Sequence, residues 1–180
     1  MKLETKIEYE TFYVYNITPL NFHLLKIPEN ITRLYIKGYY LDHFSVPEGI
    51  TDIQLDYIGL KTLVIPDGVE YVICSRNFLQ TIEIPQSLRT LIANKNLLSE
   101  ITFRYPDGNK LEYLDIRSNK LTKLDFNIPD SMDHFNASMN KINYIAPSIR
   151  NYLYTQHVPA PDSPASSDDE YWCSKLSKSI

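Results

Sequence analysis

The sequence has few of the residues that catalytic and metal-binding sites most often need. Its 180 residues include five glycines and two cysteines, so a glycine-rich phosphate loop is hard to build and a disulfide-rich scaffold is not indicated. The four histidines stand apart, and none has a second ligand at zinc-site spacing. We therefore expect no cofactor, no metal site, no small-molecule substrate and no enzymatic activity.

A basic excess and long apolar runs are also missing. The net charge of -4 and the pI of 5.5 argue against a nucleic-acid partner, because phosphate binding usually shows as a basic excess gathered on one face. No apolar run is long enough to cross a bilayer, and none follows the charges of residues 1–6, so we expect neither a membrane partner nor a secretory signal. Two isolated thiols fit a reducing compartment, and the predicted location is the cytoplasm.

An internal repeat is what the sequence has instead. Residues 111–121 read LEYLDIRSNKL, which fits the pattern LxxLxLxxNxL at every defined position. The same frame restarts 19 residues apart four times, and then after 23 residues. Its starting residues are Phe12, Ile31, Ile50, Val69, Leu88, Leu111, Met132 and Ile149. A fixed period of this kind indicates a solenoid in which each unit forms one coil.

The frame predicts which side chains point into the solenoid. Positions one, four, six and eleven of each unit are expected to face inward. In the first unit the predicted inward residues are Tyr15, Ile17, Leu20, Phe22, Leu25 and Ile27, with Leu20 at position nine. Position nine is Asn in four successive units, at Asn77, Asn96, Asn119 and Asn140. A buried Asn amide can satisfy backbone groups of adjoining turns, so we interpret these four as framework. We expect the coils that carry Tyr39 and Ile58 there to be less regular.

These units resemble the short type of leucine-rich repeat. Several end in Ile-Pro or Val-Pro, and residues 126–129 spell FNIP, as in repeat proteins of amoebae and of the giant viruses that infect them. Richness in Ile, Asn, Lys and Tyr favours the giant-virus group. The resemblance implies a β-rich leucine-rich repeat solenoid of about eight short coils. Its concave side would be a parallel sheet, and its convex side extended or turn-like with little helix.

The predicted organisation is one solenoid with a cap and a tail. Residues 1–11 are expected to form the N-terminal cap, 12–158 the solenoid, and 159–180 an acidic, Pro- and Ser-rich flexible tail. Ser166 and Ser167 precede acidic residues, as in acidic-directed kinase sites. The segment 171–176 is either a docking peptide or a cover for the last coil. The insertion 104–110 is expected to bulge from the back.

Solvent-facing residues of the sheet form the candidate site. Because strand residues alternate, positions three, five and seven should point outward. The predicted centre consists of Tyr71, Ile73, Ile92 and Tyr113, and the predicted site is completed by Tyr35, Asp115 and Arg117. Clustered outward aromatics and isoleucines with charges around them are typical of a protein interface. Alternatively, Ile and Tyr stand there because they are good strand formers.

The sequence therefore predicts a non-catalytic module that binds a partner protein on its concave face. A host protein is one option for that partner, and the host cytoplasm is then the location. The alternative is a structural or self-assembling subunit, such as a particle component, that uses its edges or its tail.

Overall fold

The computed structural model describes residues 2–156 together with residues 173 and 174. The described part of the chain is a β-rich repeat solenoid with little helix, as predicted. Its strands, in chain order, are β1 (Glu4–Glu8), β2 (Thr11–Ile17), β3 (Arg33–Gly38), β4 (His43–Ser45), β5 (Asp52–Gln54), β6 (Thr62–Val64), β7 (Tyr71–Ile73), β8 (Thr81–Ile84), β9 (Thr90–Ile92), β10 (Glu100–Phe103), β11 (Tyr113–Asp115), β12 (Lys123–Leu124), β13 (His134–Asn136) and β14 (Tyr144–Ile145). A 3-10 turn spans Phe22–Leu24, and the helix α1 spans Pro147–Thr155.

The front sheet takes one strand from each coil. Its order is β1-β2-β3-β5-β7-β9-β11-β13, and every pairing is parallel except that of β1 with β2, which is an antiparallel hairpin. From β3 onward the partners keep one register, for example Leu34 opposite Ile53, which lies opposite Val72. Shorter strands on the back pair in parallel as β4-β6, β8-β10 and β12-β14. The front sheet is the face that we predicted to be concave.

The core lies between these two layers and follows the repeat. From the unit at Ile31 to the unit at Met132, positions one, four, six and eleven supply inward side chains such as Ile50, Ile53, Leu55 and Leu60, each 3% exposed or less. Stacking coils at strand spacing makes one continuous apolar column, because each coil covers the inward residues of the next. The inward pattern was therefore predicted correctly in these units.

The stacked asparagines tie the coils together as predicted. Asn77 Oδ1 accepts hydrogen bonds from the backbone N–H groups of residues 58–60 at 2.9 to 3.1 Å. Its Nδ2 donates to the carbonyls of Leu55 and Cys74 at 2.7 and 3.0 Å. The amides of Asn96, Asn119 and Asn140 bond in the same way to position six of both coils and to position eleven of the preceding coil.

The first unit departs from the predicted frame. Phe12 pairs with Leu34 and Val14 with Ile36, so the unit starts three residues earlier than predicted. Tyr15 faces outward and Leu20 is exposed, whereas Val14 is fully buried. A bulge at Asn16, whose φ is +59°, then returns Ile17 to the core. Residues 12–15 read FYVY, so both alternating sets are apolar or aromatic, and the sequence pattern alone did not reveal which set faces inward.

Ile17 requires a glycine in the adjoining coil. A Cβ at position 38 would lie 2.3 Å from the carbonyl oxygen of Ile17, which no side chain could accommodate. Gly38 therefore allows the close approach of the bulge.

The last unit is a helix instead of an eighth coil, so the solenoid has about seven turns rather than eight. Pro147 stands in the first turn of α1, where its missing N–H costs nothing. Ile149 and Leu153, four residues apart, lie on one face of the helix and are buried. The repeat frame wrongly predicts an outward Leu153. The helix covers the C-terminal end of the core.

The insertion carries no strand or helix, and its residues 105–108 are exposed. Arg104 anchors its start across two coils, because the guanidinium contacts Glu83 at 2.7 Å, Asp67 at 3.3 Å and the Ile65 carbonyl at 3.0 Å. Gln86 donates to the Gly108 carbonyl at 3.2 Å near its end.

Little of the tail falls within the described residues. Cys173 is partly buried and packs against the core, which is the contact expected if segment 171–176 covers the last coil. The predicted flexible stretch, Ser166, Ser167 and the rest of that segment lie outside the described residues. In the part of the chain that the structure describes, no helix is long and apolar enough to cross a membrane.

Candidate protein-binding face

The front sheet arranges outward side chains in straight rows, because its strands pair in register. The third-position row is Arg33, Asp52, Tyr71, Thr90, Tyr113 and His134. The fifth-position row is Tyr35, Gln54, Ile73, Ile92, Asp115 and Asn136. Neighbours in a row come from adjacent strands, which lie about 4.8 Å apart. The seven predicted site residues all come from this sheet or, for Arg117, from just beyond it.

The centre of the predicted site is a pair of isoleucines. Ile73 lies directly opposite Ile92 in the fifth-position row, and both side chains are half-buried. Tyr71 and Tyr113 stand on either side of Thr90, so two strand spacings, or about 10 Å, separate them. The structure therefore brings the two isoleucines together. The two tyrosines lie in the neighbouring third-position row, one on each side of Thr90.

Tyr71 remains a neutral phenol over a wider pH range than an exposed tyrosine. Partial burial raises the pKa of Tyr71, and the negative charges of Asp52 and Asp56 raise it further. A protonated hydroxyl next to carboxylates can donate a hydrogen bond to a partner.

Tyr113 has a partner that sequence reasoning did not select. Its ring stacks on the imidazole of His134, with centroids 4.2 Å apart and planes 13° from parallel. The repeat frame puts His134 in the outward row but gives it no role. The parallel register is the signal that connects them, since both residues occupy position three of neighbouring coils.

Asp115 is placed differently from the prediction. We expected an outward rim carboxylate, but Asp115 is only 3% exposed. Its Oδ2 lies 3.2 Å from Arg117 Nε and accepts a hydrogen bond from Asn94 Nδ2 at 3.2 Å. Its Oδ1 accepts from the backbone N–H of Arg117. A buried carboxylate has to be hydrogen-bonded, so Asp115 orients Arg117, whose guanidinium remains half-exposed.

Tyr35 belongs to a separate aromatic group at the N-terminal end. Its ring lies 5.6 Å from that of Tyr13 and 6.2 Å from that of Tyr15, measured between centroids. Both partners face outward because of the shifted frame of the first unit, so they were missed in the sequence. Gln54 separates this group from Ile73.

The two margins of the face differ in charge. At the strand starts, Arg89 contacts Glu70 at 3.8 Å and also forms an ion pair with Glu112, so its charge is compensated on both sides. At the strand ends, Arg76 and Lys95 are exposed and form no ion pair within the described residues. In the sequence, the numbers of acidic and basic residues at outward positions are nearly equal. The contacts in the structure divide these charges into an acidic margin at the strand starts and a basic margin at the strand ends.

A further group of exposed aromatics lies at the turns after the strands. Tyr39, Tyr40, Tyr57 and Phe78 are each between 46% and 70% exposed. Tyr57 holds the left-handed position eight of its coil, with φ at +56°, which Arg76 and Lys95 share in the next two coils. These turns project side chains beside the face, and sequence periodicity gave no signal for them.

Cys74 is fully buried beneath the sheet, and burial raises the pKa of its thiol, with a further increase from Asp56. No group of three or more His, Cys, Asp or Glu among the residues that the structure describes could hold a metal ion.

Comparison with known proteins does not assign the chain to a group. No protein-family model matches the sequence, and no curated protein is significantly similar to it.

Proposed function

We propose that this protein is a non-catalytic module that binds a partner protein on the front sheet. The observation that carries the proposal is the Ile73–Ile92 pair, which stands half-buried at the centre of an in-register sheet. Apolar side chains with aromatic neighbours at the centre and charges at the margins match the anatomy of protein interfaces. Tyr71, Tyr113 and Arg117 are of the residue types that most often dominate binding energy.

A protein partner fits this surface better than a small molecule. The outward rows extend over six strands, which is a wider surface than the cleft that usually encloses a small ligand. The proposal includes the absence of catalysis, because the carboxylates nearest the centre are engaged: Asp56 accepts from the Ser75 N–H at 2.7 Å, and Asp115 is tied to Arg117. It also includes an intracellular location, which suits the thiol of Cys74.

Charge substitution at the centre tests the proposal. The test variant, Ile73→Glu/Ile92→Glu, puts two carboxylates on the front sheet. The control, Val64→Glu/Tyr144→Glu, puts two carboxylates on the back strands, where Val64 and Tyr144 are about half exposed. We expect a partner captured by the intact chain to bind the control equally and the front variant at least 100-fold more weakly. Calorimetry with the purified partner and circular dichroism of both variants provide the measurement. Equal loss in both variants would contradict the proposal.

Self-assembly is the second candidate, and the edge strand β1 favours it. No strand within the described residues pairs with the outer edge of β1, whose five side chains are all exposed, with Ile7 at 56%. Open edges are templates for strand pairing between chains. Sedimentation separates the two candidates, because assembly through β1 would give an oligomer that Ile7→Lys dissociates and that Ile73→Glu/Ile92→Glu leaves intact.

We also propose kinship with short leucine-rich repeat proteins, including those of giant viruses. Its support is the repeat pattern and the asparagine hydrogen bonds, which give each coil the same inward framework.

A further inference from the structure

A groove runs along the ends of the front strands, beside the isoleucine pair. Its volume is about 600 Å³, with Ile73 and Ile92 among its lining residues and Tyr57 and Met139 towards its two ends. We call this the strand-end groove. It is lined by three cations, Arg76, Lys95 and Arg117, which come from three successive coils. An extended chain of several residues would fill a space of this size.

The charge balance in the groove is positive once existing contacts are considered. The three cations Arg76, Lys95 and Arg117 outnumber the two nearest carboxylates, those of Asp56, which also lines the groove, and Asp115. Asp56 accepts hydrogen bonds from the Ser75 N–H and from Gln54 Nε2, at 2.7 and 3.3 Å. Asp115 is buried under Arg117. Arg76 and Lys95, in contrast, are exposed and form no ion pair within the described part of the chain. These two charges face solvent and are available to pair with an acidic ligand.

We propose that the strand-end groove binds a linear acidic peptide segment of the partner, with one apolar side chain of that segment seated on Ile73 and Ile92. This inference rests on the proposed function and adds the chemical class of the partner. Carboxylates would pair with Arg76, Lys95 and Arg117, and the bidentate fork of an arginine is suited to that geometry. The opposite margin, which carries Glu70 and Glu112, would repel the same segment and so set its position on the face.

Peptide selection tests the inference while the partner itself is still unidentified. A random dodecapeptide phage library is panned on the full chain, and enriched peptides are measured by fluorescence anisotropy. We expect enrichment of peptides with two or more Asp or Glu around one apolar residue, and affinity that falls as salt rises. Arg76→Glu/Lys95→Glu should weaken binding at least tenfold, and Arg76→Gln/Lys95→Gln by less. Lys26→Glu/Lys110→Glu, the control of equal charge change, should alter affinity less than twofold.

The outcomes separate the inference from the proposed function. Enriched peptides without acidic bias that still lose binding in Ile73→Glu/Ile92→Glu would overturn the inference and leave the front face as the binding site. Peptides insensitive to both pairs of substitutions, or no enrichment at all, would overturn the inference. Displacement of the peptide by a single-stranded oligonucleotide with equal affinity would also overturn it, because the groove would then recognise polyanions in general.

Discussion

At the scale of single residues, the asparagines show how one side chain supports two coils. A backbone N–H or C=O that is buried without a partner destabilises the fold by about 1–3 kcal/mol. Each Asn amide removes several such groups, as Asn77 does for residues 58–60 and the Leu55 carbonyl. Their role could be predicted from the sequence because the amide recurs at position nine, where the chain must turn.

Cys74 is predicted to be unreactive in the folded protein. Its thiol is fully buried and its pKa is raised by burial, so the thiolate that attacks alkylating reagents is scarce. In a Cys173→Ser background, we expect no labelling of Cys74 by iodoacetamide at pH 8 over hours, and complete labelling in denaturant. Mass spectrometry of the labelled chain gives the result. Rapid labelling of the native protein would mean that the sheet above Cys74 opens readily.

At the scale of the element, the coil that carries Ile58 satisfies the backbone of the preceding coil without an asparagine. Ile58 replaces the asparagine of position nine, and its side chain is fully buried. The backbone carbonyl of Ile58 accepts a hydrogen bond from the Leu41 N–H at 2.8 Å. In later coils, the equivalent N–H donates to an Asn Oδ1. The expected loss of hydrogen bonding at this position is therefore repaired by the main chain, and the side chain joins the core.

Replacing Ile58 by the residue typical of the repeat should destabilise the protein. Ile58→Asn removes a buried apolar side chain and buries an amide, although the Ile58 carbonyl already accepts the hydrogen bond that this amide would accept. We therefore expect the free energy of unfolding to fall by about 3 kcal/mol. Tyr57→Asn is the control, because Tyr57 is exposed with φ at +56° and Asn tolerates that conformation. Urea denaturation followed by circular dichroism measures both. A stabilised Ile58→Asn variant would show that the repeat pattern outweighs the local packing.

At the scale of the whole molecule, the two ends of the solenoid are finished differently. The N-terminal end is the open hairpin strand β1, whereas α1 covers the C-terminal end through Ile149 and Leu153. Tyr152 adds an edge contact to Phe135, with ring centroids 6.4 Å apart. Since each coil contacts mainly its neighbours, stability should vary along the solenoid and depend on these ends.

A substitution in the capping helix should weaken the nearest coil most. Leu153→Ala is expected to lower the free energy of unfolding by about 2 kcal/mol. Amide hydrogen exchange should increase in residues 132–146 and change little in residues 69–93. Asn151→Ala, on the exposed side of the same helix, should leave exchange unchanged. Hydrogen exchange followed by mass spectrometry resolves these regions. A uniform increase along the chain would show that the solenoid unfolds as one unit.

The sequence by itself determined the coil, its period and its inward residues, because alternation within a strand and a 19-residue repeat are both local patterns. From these followed the asparagine framework and the row that holds Ile73 and Ile92. Only the tertiary structure decided the start of the first strand, the helix in place of an eighth coil, and the charge of the two margins. The physical reason is that the exposure and pairing of a charge depend on its neighbours in adjacent coils. Arg89 is compensated by Glu70 and Glu112 from the coils on either side. Asp115 is buried under Arg117 beside Asn94.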